Sequence, residues 1–460
     1  MAHFAKSSNK ALPLIPLTKD KLAGWTKKQK QAVRVWISST GFKASPGSIC
    51  LISDENGKLA QVLVGVSDQA DLWDCGNLSK SLPDGVYAFE QGRTPDIEKW
   101  ALGWALGAYS FDRYKKNTPP KRARLHLPKG SDAKLLESAV EATYLVRDLI
   151  NTPAGDMGAA QLASAARKLA KSHKAKFSVI VGDDLLKKNY PAIHAVGRAV
   201  ETRDQAPRLI DFSWGNVKAP KVTLVGKGVC FDTGGLDLKS AGGMKLMKKD
   251  MGGAANVLGL AHMIMAAKLP LRLRVLIPAV ENAVSGNALR PLDVVKSRNG
   301  KTIEIGNTDA EGRVILADAL AEACREKPDL VIDFATLTGA ARVALGTELP
   351  ALFTNDDKFA EAVTKTGLTE QDPLWRLPLW PGYRKMVDGK TADLTNAPEG
   401  GYAGAITAAL FLQEFVDVKT KWAHIDMMAW NPSQKPGRPD GGEAMAIRAI
   451  FKTLKDNFIS

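Results

Sequence analysis

The sequence predicts an α/β fold: a small N-terminal α/β domain, then a larger α/β domain whose mostly parallel mixed sheet is covered by helices. Three observations carry this reading. At 460 residues the chain exceeds one ordinary core, so two domains are expected, one of them large. A long amphipathic pattern from Ala133 to Ile150, stopped by Asn151-Thr152-Pro153, reads as a helix linking them. Beyond it, helix-like and strand-like segments alternate to the C-terminal region, the pattern that builds parallel sheets through helical crossovers. The expected boundaries are 1–130, 131–153 for the linking helix, and 154–460.

In chain order, Gly47 to Ile52 and Ala60 to Val66 flank Asn56-Gly57, a hairpin signal. Asp96 to Tyr114 has helical spacing, with Ile97, Trp100, Ala101, Trp104 and Ala105 on one side, and Arg122 to Leu127 alternates as a strand does. After the linking helix come expected helices at 159–172, 254–267 and 312–324. Expected strands are 177–181, 208–212, 222–225, 273–277, 330–334 and 424–427. In such sheets the working residues lie just past the carboxyl ends of strands.

Composition narrows the function classes. No apolar run approaches the roughly 18 residues that span a bilayer. The apolar stretch Ala11 to Leu17 is short and broken by two prolines, so a cytoplasmic location is expected. The four cysteines are far apart with no CxxC spacing, and are expected as free thiols. The six histidines show no HExxH pair, so any metal site must be built mainly from oxygen ligands. Residues 1–130 hold 20 Lys and Arg against 11 Asp and Glu, more than half of the net charge of +14. A basic domain fits nucleic acid, an acidic partner or simply a solvated face, and no nucleic-acid-binding motif accompanies it.

The chemistry concentrates in a few short runs. After the strand at 222–225 come Lys227, Asp232 in Phe231-Asp232-Thr233-Gly234-Gly235, and Lys239. Asp250 precedes the helix at 254–267. The segment Asn307-Thr308-Asp309-Ala310-Glu311-Gly312-Arg313 closes the set. Each alone has an ordinary reading: a helix cap for Asp250, a turn for Asp232, surface charge for the lysines. Together, three aspartates and a glutamate at strand ends repel one another unless cations sit among them. One or two divalent ions would serve, Mg²⁺ or Mn²⁺ by ligand type, with Zn²⁺ also accepting carboxylates. A buried lysine beside such ions could lose its proton and become a nitrogen ligand, while another could stay charged and stabilise an oxyanion. Peptide and phosphoester hydrolysis both use such pairs of ions.

These runs, in this order, resemble the leucyl (cytosol) aminopeptidase family. Further matches are Asn151-Thr152-Pro153, Ala335-Thr336-Leu337-Thr338-Gly339-Ala340, Gly404 to Leu412 and Trp422 to Asp426. The resemblance covers nearly all of residues 150–440 and only weakly the first 130. It implies a metal-dependent aminopeptidase that hydrolyses the N-terminal peptide bond, with a water or hydroxide shared by two ions as nucleophile. Asp232 and Glu311 would bridge the ions, Lys227 and Asp250 would complete the tighter site, and Asp309 the more exchangeable one. Lys239 would stabilise the gem-diolate. Arg313 would hold a bicarbonate as general base, with Gly312 letting the backbone approach that anion. Met247, Thr336 and Gly339 would line the pocket for the N-terminal side chain. The family is typically hexameric, which implies a homohexamer acting on peptides. One bacterial member also binds DNA, so a DNA-binding regulator using the basic N-terminal domain is the alternative. Lys249 stands where a small residue usually precedes the aspartate, and Val314 replaces a leucine. Asp426-Met427-Met428-Ala429-Trp430 places methionine where a small residue often lines the pocket, leaving the side-chain preference open.

Overall fold

The computed structural model describes residues 4–6, 10–90, 97–116 and 122–457. They form two compact units, one of residues 1–144 with 433–440, the other of residues 145–432 with 441–460. The division therefore falls inside the helix Ala133–Asn151 rather than at its ends. The first unit takes up the later segment because Gly437 lies against the Trp73 ring and Arg438 stacks over it, 4.7 Å from the centroid.

The first unit is a five-stranded sheet in the order Ile49–Ser53, Leu59–Gly65, Leu12–Leu17, Val86–Phe89, Arg124–Leu125. The first two strands form the expected antiparallel hairpin, with Gly57 at positive φ in its turn. The remaining neighbours are parallel. The helix expected at 96–114 runs Ile97–Gly107, with Asp96 outside the described residues. Its Trp100 and Trp104 pack on Phe89 and Tyr87.

The second unit is built on a nine-stranded mixed sheet. Four central strands, Trp422–Asp426, Leu330–Ala335, Lys221–Gly226 and Arg272–Asn282, run parallel. Antiparallel neighbours flank them: Ala351–Thr354 on one side, Arg208–Trp214 and then Lys176–Val181 on the other. The short strand Gly228–Asp232 pairs alongside the far end of Arg272–Asn282, setting Asp232 opposite Asn282. Leu330–Ala335 is buried at every residue, as a strand covered on both faces must be.

On one face Val225, Leu276, Val331 and Trp422 pack with residues of the helices Pro191–Gly197, Glu311–Cys324 and Gly404–Gln413. Alternate residues of the same strands point the other way, where the helix Gly252–Ala266 packs on Lys221–Gly226 and Leu330–Ala335. Both long helices beside the site are buried nearly all round, which is why their amphipathic signal is weak. Gly253 sets the approach: a Cβ there would stand 2.1 Å from the Phe334 carbonyl oxygen. With glycine in place, the helix start hydrogen-bonds the strand end directly, Ala254 N donating to Lys227 O at 2.8 Å. Lys227 N in turn donates to Phe334 O at 2.9 Å, and Asp250 is carried in over the strand ends.

Candidate metal centre and substrate pocket

Five central-sheet features deliver side chains to one place. Lys227 follows directly on Lys221–Gly226, Asp232 and Asn282 end their strands, Thr336 follows Leu330–Ala335, and Asp426 ends Trp422–Asp426. Asp250 comes from the short turn Met247–Met251 before its helix, and Glu311 from the first turn of Glu311–Cys324. The sites expected at strand ends are thus where a parallel sheet puts its working residues.

The charges divide into two linked sets. Lys227 Nζ lies 2.6 Å from Asp250 Oδ2 and 2.9 Å from Glu311 Oε1, and donates to the Thr336 carbonyl oxygen at 3.1 Å. Lys239 Nζ lies 2.9 Å from Asp232 Oδ2 and also pairs with Asp309. Oxygens of Asp232, Asp309 and Glu311 lie within 4.8 Å of one another and join the two sets. Asp232 Oδ1 is fixed by Asn282 Nδ2 at 2.8 Å and by Gly234 N at 2.9 Å, so its other oxygen faces the cluster.

The electrostatics are those of a site that favours added positive charge. Burial, reinforced by Asp232, raises Glu311 to about 8 despite Lys227 beside it. Burial and Asp232 likewise raise Asp309 to about 6. Asp250 Oδ2, Asp309 Oδ1 and Glu311 Oε1 are out of solvent with no hydrogen bond of normal geometry, held only by ion contact to the lysines. Such oxygens fit a divalent cation, by donor chemistry and by charge. Burial opposes charge on Lys227, yet Asp250, Glu311 and Asp232 drive its pKa upward, so it is an ammonium here. A cation between Asp250 and Glu311 would compete for the same oxygens and favour release of that proton.

A Cβ at Gly312 would stand 2.7 Å from Lys227 Nζ and 2.6 Å from its Cε, so the glycine makes room for the lysine. Gly312→Ala is expected to push the amine off Asp250 and Glu311 and to lower turnover about 10²-fold, as small misplacements at a reacting centre do. Steady-state kinetics with a measurement of bound metal checks this.

Arg313 is buried, donates to the Asn396 carbonyl oxygen at 2.7 Å, and keeps a buried Nε with no hydrogen bond. Burial lowers its pKa to about 10, with Glu311 and Asp426 opposing. The sequence reading left out several positioning groups. Asn396 is fully buried, accepts from Gly306 N and Asn307 N, and donates to the carbonyls of Asn307 and Ala310, which shapes the whole segment bearing Asp309 and Glu311. Thr308 bonds Gly234 O and Asp237, tying that segment to the Asp232 loop. Partners 70 to 90 residues away leave no local signal.

Beside the metal-fitting oxygens lies a pocket of about 250 Å³. Met247, Thr336 and Gly339 line it, together with Lys239, Lys249, Arg342 and Met427. Asp426 holds its rim: the carboxylate accepts from Leu337 N at 3.0 Å, Thr338 N at 3.1 Å and Thr338 Oγ1 at 2.6 Å. Thr336 Oγ1 donates to Asp250 Oδ1 at 2.7 Å, coupling pocket wall to cluster.

Residues 144–451 match the catalytic domain of the cytosol aminopeptidase family, and residues 12–128 match the M17 aminopeptidase N-terminal domain. The chain belongs to the cytosol aminopeptidase family. It is therefore a metallo-aminopeptidase, a hydrolase, in a family of dinuclear metal enzymes. A probable cytosol aminopeptidase of Syntrophotalea carbinolica is 36% identical over 455 residues, covering 91% of this chain and 90% of its own. One from Roseiflexus castenholzii is 40% identical over 384 residues, 79% of this chain and 78% of its own. Among solved structures, the cytosol aminopeptidase of Coxiella burnetii shares 52% identity with a TM-score of 0.95 over 99% of both chains. The bottromycin maturation enzyme BotP, solved in complex with Mn, shares 32% identity with a TM-score of 0.87, over 97% of this chain and 99% of its own. Nucleic-acid binding gains no support from these family relatives. No helix among the described residues is long and apolar enough to cross a membrane.

Proposed function

We propose that this family member removes the N-terminal residue of peptides by a two-metal hydrolysis of leucyl aminopeptidase type. The observation that carries the reading is the buried cluster of Asp232, Asp309 and Glu311 oxygens within 4.8 Å of one another, opening beside a pocket with room for one side chain. Asp232 and Glu311 would contact both ions, Lys227 and Asp250 would complete one site, and Asp309 the other. When bound, the ions would supply Lewis acidity, polarising the scissile carbonyl and activating water.

The protein groups then have distinct tasks. Met247, Thr336 and Gly339 receive the N-terminal side chain and so orient the first peptide bond over the carboxylates. Lys239, about one-seventh exposed and facing the pocket, donates to the carbonyl oxygen as negative charge develops there. Arg313, whose buried Nε makes no hydrogen bond, would hold a planar anion such as bicarbonate, which would supply a general base beside the site. The resemblance also implies a cytoplasmic location and a homohexamer, and sedimentation of the purified protein tests the homohexamer.

The deciding experiment strips the protein of metal and assays a panel of aminoacyl amides with Mn²⁺, Zn²⁺ and Mg²⁺ added separately. Activity is expected to return with Mn²⁺ or Zn²⁺ at two ions per chain, and Glu311→Gln is expected to reduce that stoichiometry. Failure of every ion to restore amide hydrolysis would overturn the reading.

A further inference from the structure

The pocket that receives the side chain carries two cations that no carboxylate answers. Lys249 lies in the turn Met247–Met251 and is 3% exposed. Arg342 sits on the helix Gly339–Leu345, part-buried, with a terminal nitrogen 3.4 Å from where a Cβ on Gly339 would be and a 3.3 Å contact to Met428 Sδ. Both line the pocket. Among the described residues, neither forms an ion pair within 4.0 Å.

The acids nearby are committed elsewhere. Asp250 is taken by Lys227 and Thr336, Asp232 and Asp309 by Lys239, and both oxygens of Asp426 by the backbone and hydroxyl of the 337–338 rim. The rest of the lining sets Met247, Met427, Leu337 and Gly339 beside Thr336, Thr338 and the acids and lysines of the cluster. Two basic side chains without an ion pair, next to methionine and leucine side chains, fit a short aliphatic stem ending in a carboxylate.

We infer that this pocket is a carboxylate subsite, and that the enzyme releases N-terminal glutamate or aspartate in preference to leucine. The inference rests on the aminopeptidase reading above and names the substrate class of that site. A leucine side chain seated there would strip water from Arg342, leave the buried Lys249 unpaired and return nothing, whereas a carboxylate forms charge-assisted hydrogen bonds with both. A lysine or arginine side chain meets like charge and is rejected. This asymmetry is the kind that sets large specificity ratios, because the loss falls on buried polar groups left unpaired. Lys249 and Arg342 are thus specificity residues, distinct from the groups that hold metal or donate to the reacting carbonyl.

The test measures kcat/KM of the metal-loaded protein on glutamyl, aspartyl, leucyl and lysyl para-nitroanilides, with Lys249→Met and Arg342→Leu beside the wild type. The expected wild-type ratio of glutamyl to leucyl exceeds tenfold, and each substitution lowers it at least tenfold. Arg342 is on a part-exposed helix surface, so if Lys249→Met fails to fold, the Arg342→Leu ratio decides. A wild type that prefers the leucyl substrate, or a ratio unmoved by the substitutions, overturns the inference and leaves the peptidase reading standing. If none of the four amides is cleaved with any ion, the peptidase reading falls. Calorimetric titration with free L-glutamate and L-leucine then decides the subsite: glutamate bound at least tenfold more tightly supports it, and equal binding overturns it.

Discussion

Lys239→Ala is expected to lower kcat on an aminoacyl amide by about 10²–10³-fold, the loss that follows removal of one donor to a developing oxyanion. Bound metal is expected to stay at or above the wild-type level. The reason lies in what Lys239 touches: its ammonium pairs with Asp232 and Asp309 at the mouth of the pocket. Removing it takes a competing cation away from two carboxylates, so their affinity for a divalent ion does not fall. Burial opposes the charge of Lys239, but Asp232 and Asp309 outweigh it and hold the pKa above the ordinary lysine value. The group is therefore a fully charged donor across neutral pH, and it contributes no alkaline limb to the rate profile below the lysine range. Joint loss of metal and turnover in the variant would show that Lys239 acts by organising the carboxylates, and the oxyanion role would be wrong.

Asp333→Ala is expected to destabilise the second unit by about 3–5 kcal/mol, the range for removing one partner of a buried ion pair. Asp333 lies in the middle of the strand Leu330–Ala335 with no exposed surface. Its two oxygens accept from the Trp422 indole at 2.7 Å and from His424 Nδ1 at 2.6 Å, both on the neighbouring strand. Truncation leaves a buried imidazole and a buried indole N–H without that partner. Burial lowers the His424 pKa, but Asp333 raises it further, to a net value above 6.5. A histidine raised in the folded state contributes most below its unfolded pKa, and the contribution is lost as pH rises through the folded value. The stability gap between wild type and variant is thus expected to be widest near pH 6 and to narrow toward alkaline pH. Urea unfolding at several pH values measures it, and a gap that widens with pH would contradict the assignment.

Local structure was readable wherever one physical signal dominated. The helix Ala159–Ser172 has a clean 3.6-residue stripe and stands where its spacing put it. The central strands were visible as short apolar runs bounded by turns, although Arg272–Asn282 extends well past the expected 273–277 because its far end pairs with Gly228–Asp232. Alternation at 122–127 overstated a strand that is only Arg124–Leu125, since pairing to Val86–Phe89, not pattern, limits its length.

By itself the sequence determined the family's motif order, the α/β class, and that Lys227, Asp232, Lys239, Asp250, Asp309 and Glu311 stand at strand ends or helix starts. Those follow from chain-local chemistry: periodicity, turn residues and spacing. Tertiary structure alone decided which lysine faces which carboxylates, that Gly312 is small for the sake of Lys227, that Asn396 and Thr308 hold the metal-fitting segment, and that Lys249 and Arg342 meet in one pocket. The reason is that most of these contacts join residues 70 or more apart in the chain. Their meeting is set by strand order and by the close seating of a glycine-started helix on the sheet.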